Sequence, residues 1–318
     1  MGKVLVSAPL PGPAVEVMRA AHEVVVGADP IGLGREGILA RVGPCDALVT
    51  LVTDRVDEAL LAAATRLRLV ANCAVGVDNI DLAACRRRGV AVTNTPDVLT
   101  EATADATFAL LLDACRRVSE GDRAVRAGRW RGWAPTEWLG VRVTGATLGI
   151  VGLGRIGRAV AARARGFSMR VLYTQRSRAP GEVERALAAE YAPLGELLAR
   201  SDIVALCCPL NEDSRGLLSR ERIARLKPGA VVVSAARGAC LDEVALAEAL
   251  ADGRVAAAGL DVFAREPAVA PELLACENAV LTPHLGSADR PTREAMASLC
   301  ADAVLAVLAG EEPRFRVA

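Results

Sequence analysis

Aromatic residues and histidine are scarce in this 318-residue chain, which has three Trp, two Tyr, four Phe and two His. Lysine is equally scarce: only Lys3 and Lys227 occur, so arginine carries nearly all of the positive charge. Basic and acidic residues balance at 38 each. A chain without excess positive charge lacks the electrostatic basis for binding nucleic acid, and we expect no such partner.

Long apolar runs are also missing. No stretch approaches the roughly 18 residues that identify a membrane-spanning helix, and the apolar run near Lys3 is too short for a signal peptide. The nine cysteines include no C-x-x-C pair, which argues against a disulfide framework or a zinc site. We therefore expect a cytoplasmic protein with no membrane partner and no metal.

Strand-like and helix-like segments alternate along the chain, which is typical of parallel sheets covered by helices. The first set of predicted strands is 3–7, 24–26, 47–51, 69–72 and 90–93. The second set is 148–151, 171–174, 203–208, 231–235, 257–261 and 279–282. A helix over 100–117, with Thr100 as its N-cap, separates the sets, and a final helix is predicted over 293–309.

Two such sets predict an α/β protein with two doubly wound, Rossmann-like domains. We expect a flavodoxin-like substrate domain from residues 1–98 with 287–318, and a dinucleotide-binding domain from residues 99–286. Ligands of such sheets bind outside the carboxyl ends of the strands. The sequence therefore predicts an active site in the cleft between the two domains.

The most specific local motif lies in the second set. The apolar segment 148–151 runs directly into the pattern G-x-G-x-x-G, formed by Gly152, Gly154 and Gly157, and a helix pattern follows. The first glycine permits a tight turn, the second lets the backbone approach a pyrophosphate, and the third lets helix and strand pack closely. The alternative is that these glycines only interrupt a strand.

The residues after the next strand bear on the choice of cofactor. An NAD site usually has an acidic residue there to bind the ribose 2′-hydroxyl, but none occurs before Glu182. The segment instead reads Gln175, Arg176, Ser177 and Arg178. Because guanidinium binds phosphate bidentately, we predict NADP(H) in preference to NAD(H), with Arg176 as the main contact and Ser177 and Arg178 as helpers. The alternative is a solvated basic loop.

Three residues with catalytic potential follow predicted strands. His284 suits a proton transfer near neutral pH, whereas His22 precedes a strand and is interpreted as a surface residue. Arg237 can bind a carboxylate and polarise a carbonyl, and Glu266 can orient an imidazole. Each residue alone also fits a structural or solvated role.

Together these motifs resemble the D-isomer-specific 2-hydroxyacid dehydrogenases over nearly the whole chain. The matching segments are 74–81, 95–101, 152–157, 235–238, 261–267 and 283–287. Within that family the chain is most similar to the glyoxylate/hydroxypyruvate reductases, because of residues 172–176 and the tryptophans Trp130, Trp133 and Trp138.

The resemblance implies a role for each matching residue. Arg237 would bind the 2-oxo acid, His284 would donate the proton, and Glu266 would hold His284. The N–H groups of Val75 and Gly76 would hold the substrate carboxylate. Asp261 would hold the nicotinamide amide. The remaining cofactor contacts would come from Arg155, Ile156, Cys208, Pro209, Ala235 and Gly286.

The same resemblance implies a homodimer in which Trp133 reaches the partner's active site; the alternative is that Trp133 only lies in the dimer interface. The expected reaction is the NADPH-dependent reduction of glyoxylate to glycolate and of hydroxypyruvate to D-glycerate. One alternative is a related dehydrogenase that acts on another small substrate, such as phosphite or another D-2-hydroxy acid. Phosphite-oxidising relatives usually carry a lysine in the loop where this chain has Ala74, and formate-oxidising relatives are longer. The other alternative is a nucleotide-sensing binding protein like the transcriptional corepressors of this fold, which carry long tails that are not expected here.

Overall fold

The computed structural model describes all 318 residues. The chain forms two compact units, one from residues 1–99 with 288–318 and one from residues 100–287. None of the helices is both long and apolar enough to cross a membrane.

The sheet of the first unit has five parallel strands in the order β2-β1-β3-β4-β5. The strands are β1 Lys3–Val6, β2 Glu23–Val26, β3 Ala47–Thr50, β4 Leu69–Asn72 and β5 Ala91–Thr93. The first four helices are α1 Ala14–Arg19, α2 Gly34–Val42, α3 Glu58–Ala63 and α4 Leu82–Arg87. The central strands β3 and β4 are buried along their whole length, as expected when helices cover both faces of a parallel sheet.

The second unit contains seven parallel strands in the order β12-β11-β10-β9-β6-β7-β8. The strands are β6 Thr147–Val151, β7 Arg170–Thr174, β8 Ala189–Tyr191, β9 Ile203–Leu206, β10 Ala230–Ser234, β11 Val255–Leu260 and β12 Ala279–Leu281. The order reverses between β6 and β9, which is the position where a doubly wound sheet binds its ligand. The predicted fold class is confirmed for both units.

Helices cover the second sheet on both faces. They are α5 Thr100–Arg116, α6 Val118–Arg126, α7 Arg155–Ala164, α8 Gly181–Leu187, α9 Leu194–Arg200, α10 Arg220–Ile223, α11 Glu243–Ala251 and α12 Pro271–Leu274. The last helix, α13 Arg290–Ala309, returns to the first unit and packs on β3 and β4.

Some predicted boundaries are wrong. Strand β9 ends at Leu206 instead of Cys208, because its pairing with β6 and β10 stops there. Strand β8 was not predicted: it is three residues long and lies at the sheet edge, where propensity alone gives little signal. Helix α13 begins at Arg290, since its first turn tolerates a proline.

Two of the motif glycines are required by close backbone approaches. Gly152 has a φ of 97°, and a Cβ on it would lie 2.9 Å from the backbone of Cys208. A Cβ on Gly157 would lie 2.1 Å from the carbonyl oxygen of Gly152. A Cβ on Gly154, by contrast, would meet nothing within 4 Å. The turn is therefore closed against the protein and open on the side of the helix N-terminus.

We predict that Gly157→Ala destabilises the protein, because the new methyl group overlaps the Gly152 carbonyl. Overpacking of this kind costs about 1–3 kcal/mol. The matched control is Gly121→Ala on α6, where the methyl group meets nothing within 4 Å and should stabilise the helix by up to about 1 kcal/mol. Urea unfolding of both variants measures the difference, and equal free energies of unfolding would contradict the packing argument.

Candidate active site

A histidine–carboxylate pair lies at the carboxyl end of the second sheet. His284 follows β12, Glu266 follows β11, and the ring Nδ1 lies 2.8 Å from Oε2 of Glu266. The His284 and Glu266 side chains remain 31% and 25% exposed, so a ligand can reach the pair. With Nδ1 engaged by the carboxylate, the other ring nitrogen, Nε2, is the one left to exchange a proton with a ligand.

Glu266 is kept ionised by its surroundings. Burial raises its pKa, but the hydrogen bonds from His284 and from the Phe263 N–H, together with the nearby charge of Arg237, outweigh burial and lower the pKa overall. An ionised carboxylate accepts a hydrogen bond from Nδ1–H and stabilises the charged imidazolium. The pair therefore has the electrostatics of an oriented acid–base group.

Arg237 is brought to the same edge by the neighbouring strand. It follows β10, and its Nη1 donates to the Ala236 carbonyl oxygen at 2.8 Å. The next residue, Gly238, allows the loops after β10 and β11 to touch, since a Cβ there would lie 1.9 Å from the Phe263 carbonyl carbon. The three predicted catalytic residues thus come from three adjacent strands.

Two further carboxylates in this region accept main-chain hydrogen bonds that the sequence analysis did not predict. Asp261 is buried, and its side chain accepts the N–H groups of Leu285 and Gly286 on the His284 loop. Glu243, the first residue of α11, accepts the Ala264 N–H at 2.6 Å. The pKa of Glu243 is raised, mainly by burial and to a smaller extent by the charge of Glu266. The only sequence signal for Glu243 is its position at a helix N-terminus.

The glycine turn presents the N-terminus of α7. Gly154 occupies the N-cap position, and Arg155 and Ile156 form the first helical residues. The N–H groups of a first helical turn have no partner within the helix and attract phosphate. Cys208, which is half-buried, packs its backbone against Gly152. The thiol of the preceding residue, Cys207, stays protonated, because burial raises its pKa to about 12.

The basic segment after β7 is linked to this turn. The Gln175 side chain accepts the Leu153 N–H at 3.2 Å and donates to the Ser177 carbonyl oxygen at 2.7 Å. Arg176 is 80% exposed and has only a 3.6 Å contact with Asp213, which is 69% exposed. An exposed ion pair of this kind contributes little and can exchange for another anion.

Arg178 has a different environment. It donates to both oxygens of Glu184, at 2.8 and 3.0 Å. Oε1 of Glu184 also accepts the Tyr173 hydroxyl at 2.6 Å, and that hydroxyl in turn accepts the Ala179 N–H. The hydrogen bonds from Arg178 and Tyr173 hold the pKa of Glu184 at about 2. Arg178 therefore stabilises the segment that carries Arg176.

In the first unit, the predicted carboxylate-binding residues follow β4. The Asn94 side chain donates to the Val75 carbonyl oxygen at 2.8 Å, and the Asn72 side chain donates to that of Gly76 at 2.7 Å. Both hydrogen bonds use carbonyl oxygens and leave the two N–H groups to other acceptors. The same unit contains His22, which is half-buried and accepts the Gly2 N–H at 3.2 Å.

The tryptophans belong to an apolar surface on α6 and the segment that follows it. The exposed large apolar residues there are Val118, Val125, Trp130, Trp133, Trp138 and Leu139. Trp133 is 85% exposed, and Arg117 lies over the Trp138 ring at 5.3 Å. Of these residues, Val118, Val125, Trp130 and Trp138 line one groove. A contiguous apolar surface on a folded chain is typical of a protein interaction site.

A family model supports the reading of this geometry. The model described as "D-isomer specific 2-hydroxyacid dehydrogenase, NAD binding domain" matches residues 108–286. A glyoxylate reductase of Thermococcus onnurineus is 47% identical over 315 residues, which cover 98% of this chain and 94% of that protein. The chain belongs to the D-isomer-specific 2-hydroxyacid dehydrogenase family.

Similar solved structures support the same family assignment. A Thermus thermophilus protein is 45% identical, with a TM-score of 0.91 over 99% of this chain and 100% of the other. An NADPH-dependent glyoxylate/hydroxypyruvate reductase of Sinorhizobium meliloti, solved with NADP and malonate, is 32% identical, with a TM-score of 0.88 over 100% and 97% of the two chains. The protein is an NAD(P)-dependent D-2-hydroxyacid dehydrogenase, and the predicted family and branch are confirmed.

We predict that Tyr173→Phe loosens the basic segment. The variant leaves the buried Ala179 N–H without an acceptor and removes one donor to Glu184, which should cost about 1–3 kcal/mol of unfolding free energy. Tyr191→Phe is the matched control, because no hydrogen bond holds its hydroxyl, and it should change stability by under about 0.5 kcal/mol. If urea unfolding finds the two variants equally stable, the hydroxyl does not hold this segment.

Proposed function

We propose that this enzyme reduces glyoxylate to glycolate and hydroxypyruvate to D-glycerate, with NADPH as the preferred cofactor. The observation that carries the proposal is the 2.8 Å contact between His284 and Glu266 beside Arg237, in a chain 47% identical to a glyoxylate reductase. These three groups are what the reduction of a 2-oxo acid requires: a proton donor, its orienting base and a cation for the substrate.

The residues present fit a nicotinamide dinucleotide. Gly154 leaves open space before the first turn of α7, where Arg155 and Ile156 would hold the pyrophosphate. The remaining cofactor contacts would come from Gly152, Gly157, Cys208, Pro209, Ala235, Asp261 and Gly286. When bound, the reduced cofactor supplies the hydride.

The chain's own residues perform the polar steps. Arg237 binds the 2-oxo acid and polarises its carbonyl group, and the N–H groups of Val75 and Gly76 bind the substrate carboxylate. As the carbonyl group is reduced, its oxygen would take the proton from Nε2 of His284. Glu266 holds Nδ1–H throughout, so the imidazole keeps its orientation after it has lost the proton.

The preference for NADPH rests on the segment after β7. Arg176 is exposed and only weakly paired, so its guanidinium can bind a 2′-phosphate bidentately. The Ser177 hydroxyl assists, and Gln175 holds the segment to the glycine turn. Arg178 is committed to Glu184 and contributes mainly by holding the segment.

The apolar surface of α6 supports a homodimer. Val125 and Trp130 are more than half exposed, as is Leu139, and burying such surface in a second copy is favourable at about 25 cal/mol per Å². In the dimer, Trp133 reaches the partner's active site and limits the size of the substrate.

The first test is the oxidation of NADPH and NADH, followed by absorbance, with glyoxylate and with hydroxypyruvate. We expect faster oxidation of NADPH; a wild-type enzyme that oxidises neither cofactor with either acid would refute the proposed substrates.

His284→Ala should lower kcat about 10²- to 10⁴-fold, because the proton donor is lost, while the KM for glyoxylate changes much less. Arg237→Ala should impair both kcat and KM.

Arg176→Asp should raise the KM for NADPH roughly 10- to 100-fold, which corresponds to losing a charged hydrogen bond of about 1.5–3 kcal/mol. The KM for NADH should change much less, because NADH has no 2′-phosphate. The control is Arg142→Asp, the same charge change at an exposed residue before β6. An equal rise for both cofactors would exclude Arg176 as the phosphate contact.

Val125→Glu should shift the protein from dimer to monomer in sedimentation equilibrium, because the charge cannot be buried without a partner. Val17→Glu introduces the same charge at an exposed residue of α1 and should leave the dimer intact. A wild-type protein that sediments as a monomer would refute the homodimer.

A further inference from the structure

His284 has a backbone conformation that L-residues rarely adopt. Its φ is 56°, in the left-handed region, which is strained for a non-glycine residue and persists only where the surroundings impose it. Its N–H donates to the carbonyl oxygens of Asp261, at 3.0 Å, and of Thr282, at 3.1 Å. The main chain of Asp261 thus contributes to holding this conformation.

The Asp261 side chain holds the residues on both sides of His284. Oδ1 accepts the Thr282 hydroxyl and the Leu285 N–H, both at 2.6 Å, and Oδ2 accepts the Gly286 N–H at 2.8 Å. Asp261 is 1% exposed, so water does not compete for these hydrogen bonds. A single buried carboxylate therefore collects three donors from the five residues 282–286.

We propose that Asp261 is a positioning residue that holds the His284 loop in its left-handed conformation and thereby aims the imidazole for proton transfer. The proposal rests on the proposed role of His284. It differs from the contact with the nicotinamide amide that the family resemblance implies. Two donors already occupy Oδ1, and one occupies Oδ2, so the side chain serves the loop before any cofactor binds.

Asp261→Asn tests the proposal with little change in volume. The amide replaces one acceptor oxygen by a donor, so in either orientation an NH₂ group faces a backbone N–H. We expect kcat to fall about 10²-fold, as for a small misplacement of a reacting group, while the KM for the 2-oxo acid changes little because Arg237 is intact. Thr282→Val removes only one of the three donors and should give a smaller fall in kcat.

The matched control is Asp202→Asn. This carboxylate accepts the Thr147 N–H at 2.8 Å and pairs with Lys227 at the amino end of the sheet. The same chemical change there should leave kcat unaltered. A fall in kcat equal to that of Asp261→Asn would show a general loss of stability and overturn the proposal.

A second readout does not depend on activity. The chain has only two histidines, His22 and His284, so ¹⁵N NMR of the imidazoles, assigned with His22→Gln, reports on His284 directly. Asp261→Asn and Thr282→Val should both shift the His284 signals, whereas Asp202→Asn should not. Wild-type His284 signals in the first two variants would overturn the proposal even if activity falls.

The cofactor explanation is tested with NADPH and 2′-phospho-ADP-ribose, which lacks the nicotinamide. If Asp261 only contacts the nicotinamide amide, Asp261→Asn weakens NADPH binding, spares 2′-phospho-ADP-ribose and leaves the His284 signals unchanged; that pattern overturns the positioning role. We expect the His284 signals to shift in Asp261→Asn whether or not the affinity for NADPH also falls. A wild type inactive on both acids would refute the proposed function instead, and the NMR comparison would still decide the role of Asp261.

Discussion

The parallel hydrogen bonding of the seven-stranded sheet is the constraint on which the rest of the site depends. Because all seven strands run in one direction, the segments that follow them emerge at the same edge. Arg237, Glu266 and His284 follow the adjacent strands β10, β11 and β12, and the glycine turn follows β6 at the reversal of strand order. Sheet topology alone thus assembles reactive groups that are far apart in the chain.

Carboxylates then organise what the sheet brings together. The pKa values of two neighbouring carboxylates shift in opposite directions, because the two groups have different partners. His284 and Arg237 lower the pKa of Glu266, whereas burial and the charge of Glu266 raise the pKa of Glu243. Asp261 acts through main-chain donors instead. In each case a buried or half-buried carboxylate is stabilised by donors from a loop and fixes that loop in return.

Features encoded by local pattern were predictable. The glycine motif was recognised because turn, helix start and close packing each demand glycine at a fixed spacing, and the apolar runs identified nearly all strands. Local pattern did not predict the short edge strand β8 or the true end of β9, since hydrogen bonding with the neighbouring strands decides both. The sequence also treated Arg178 as a helper to Arg176, although Glu184 engages it in the structure.

The amino-acid sequence by itself determined the fold class, the family and the types of residue available for chemistry, because periodicity and motif spacing are properties of neighbouring residues. It could not determine that Asp261 would bind the loop around His284 or that Gln175 would join two cofactor segments. Those contacts link residues more than twenty positions apart. Only the folded chain decides them, since the side chain must first be buried beside donors that other strands deliver.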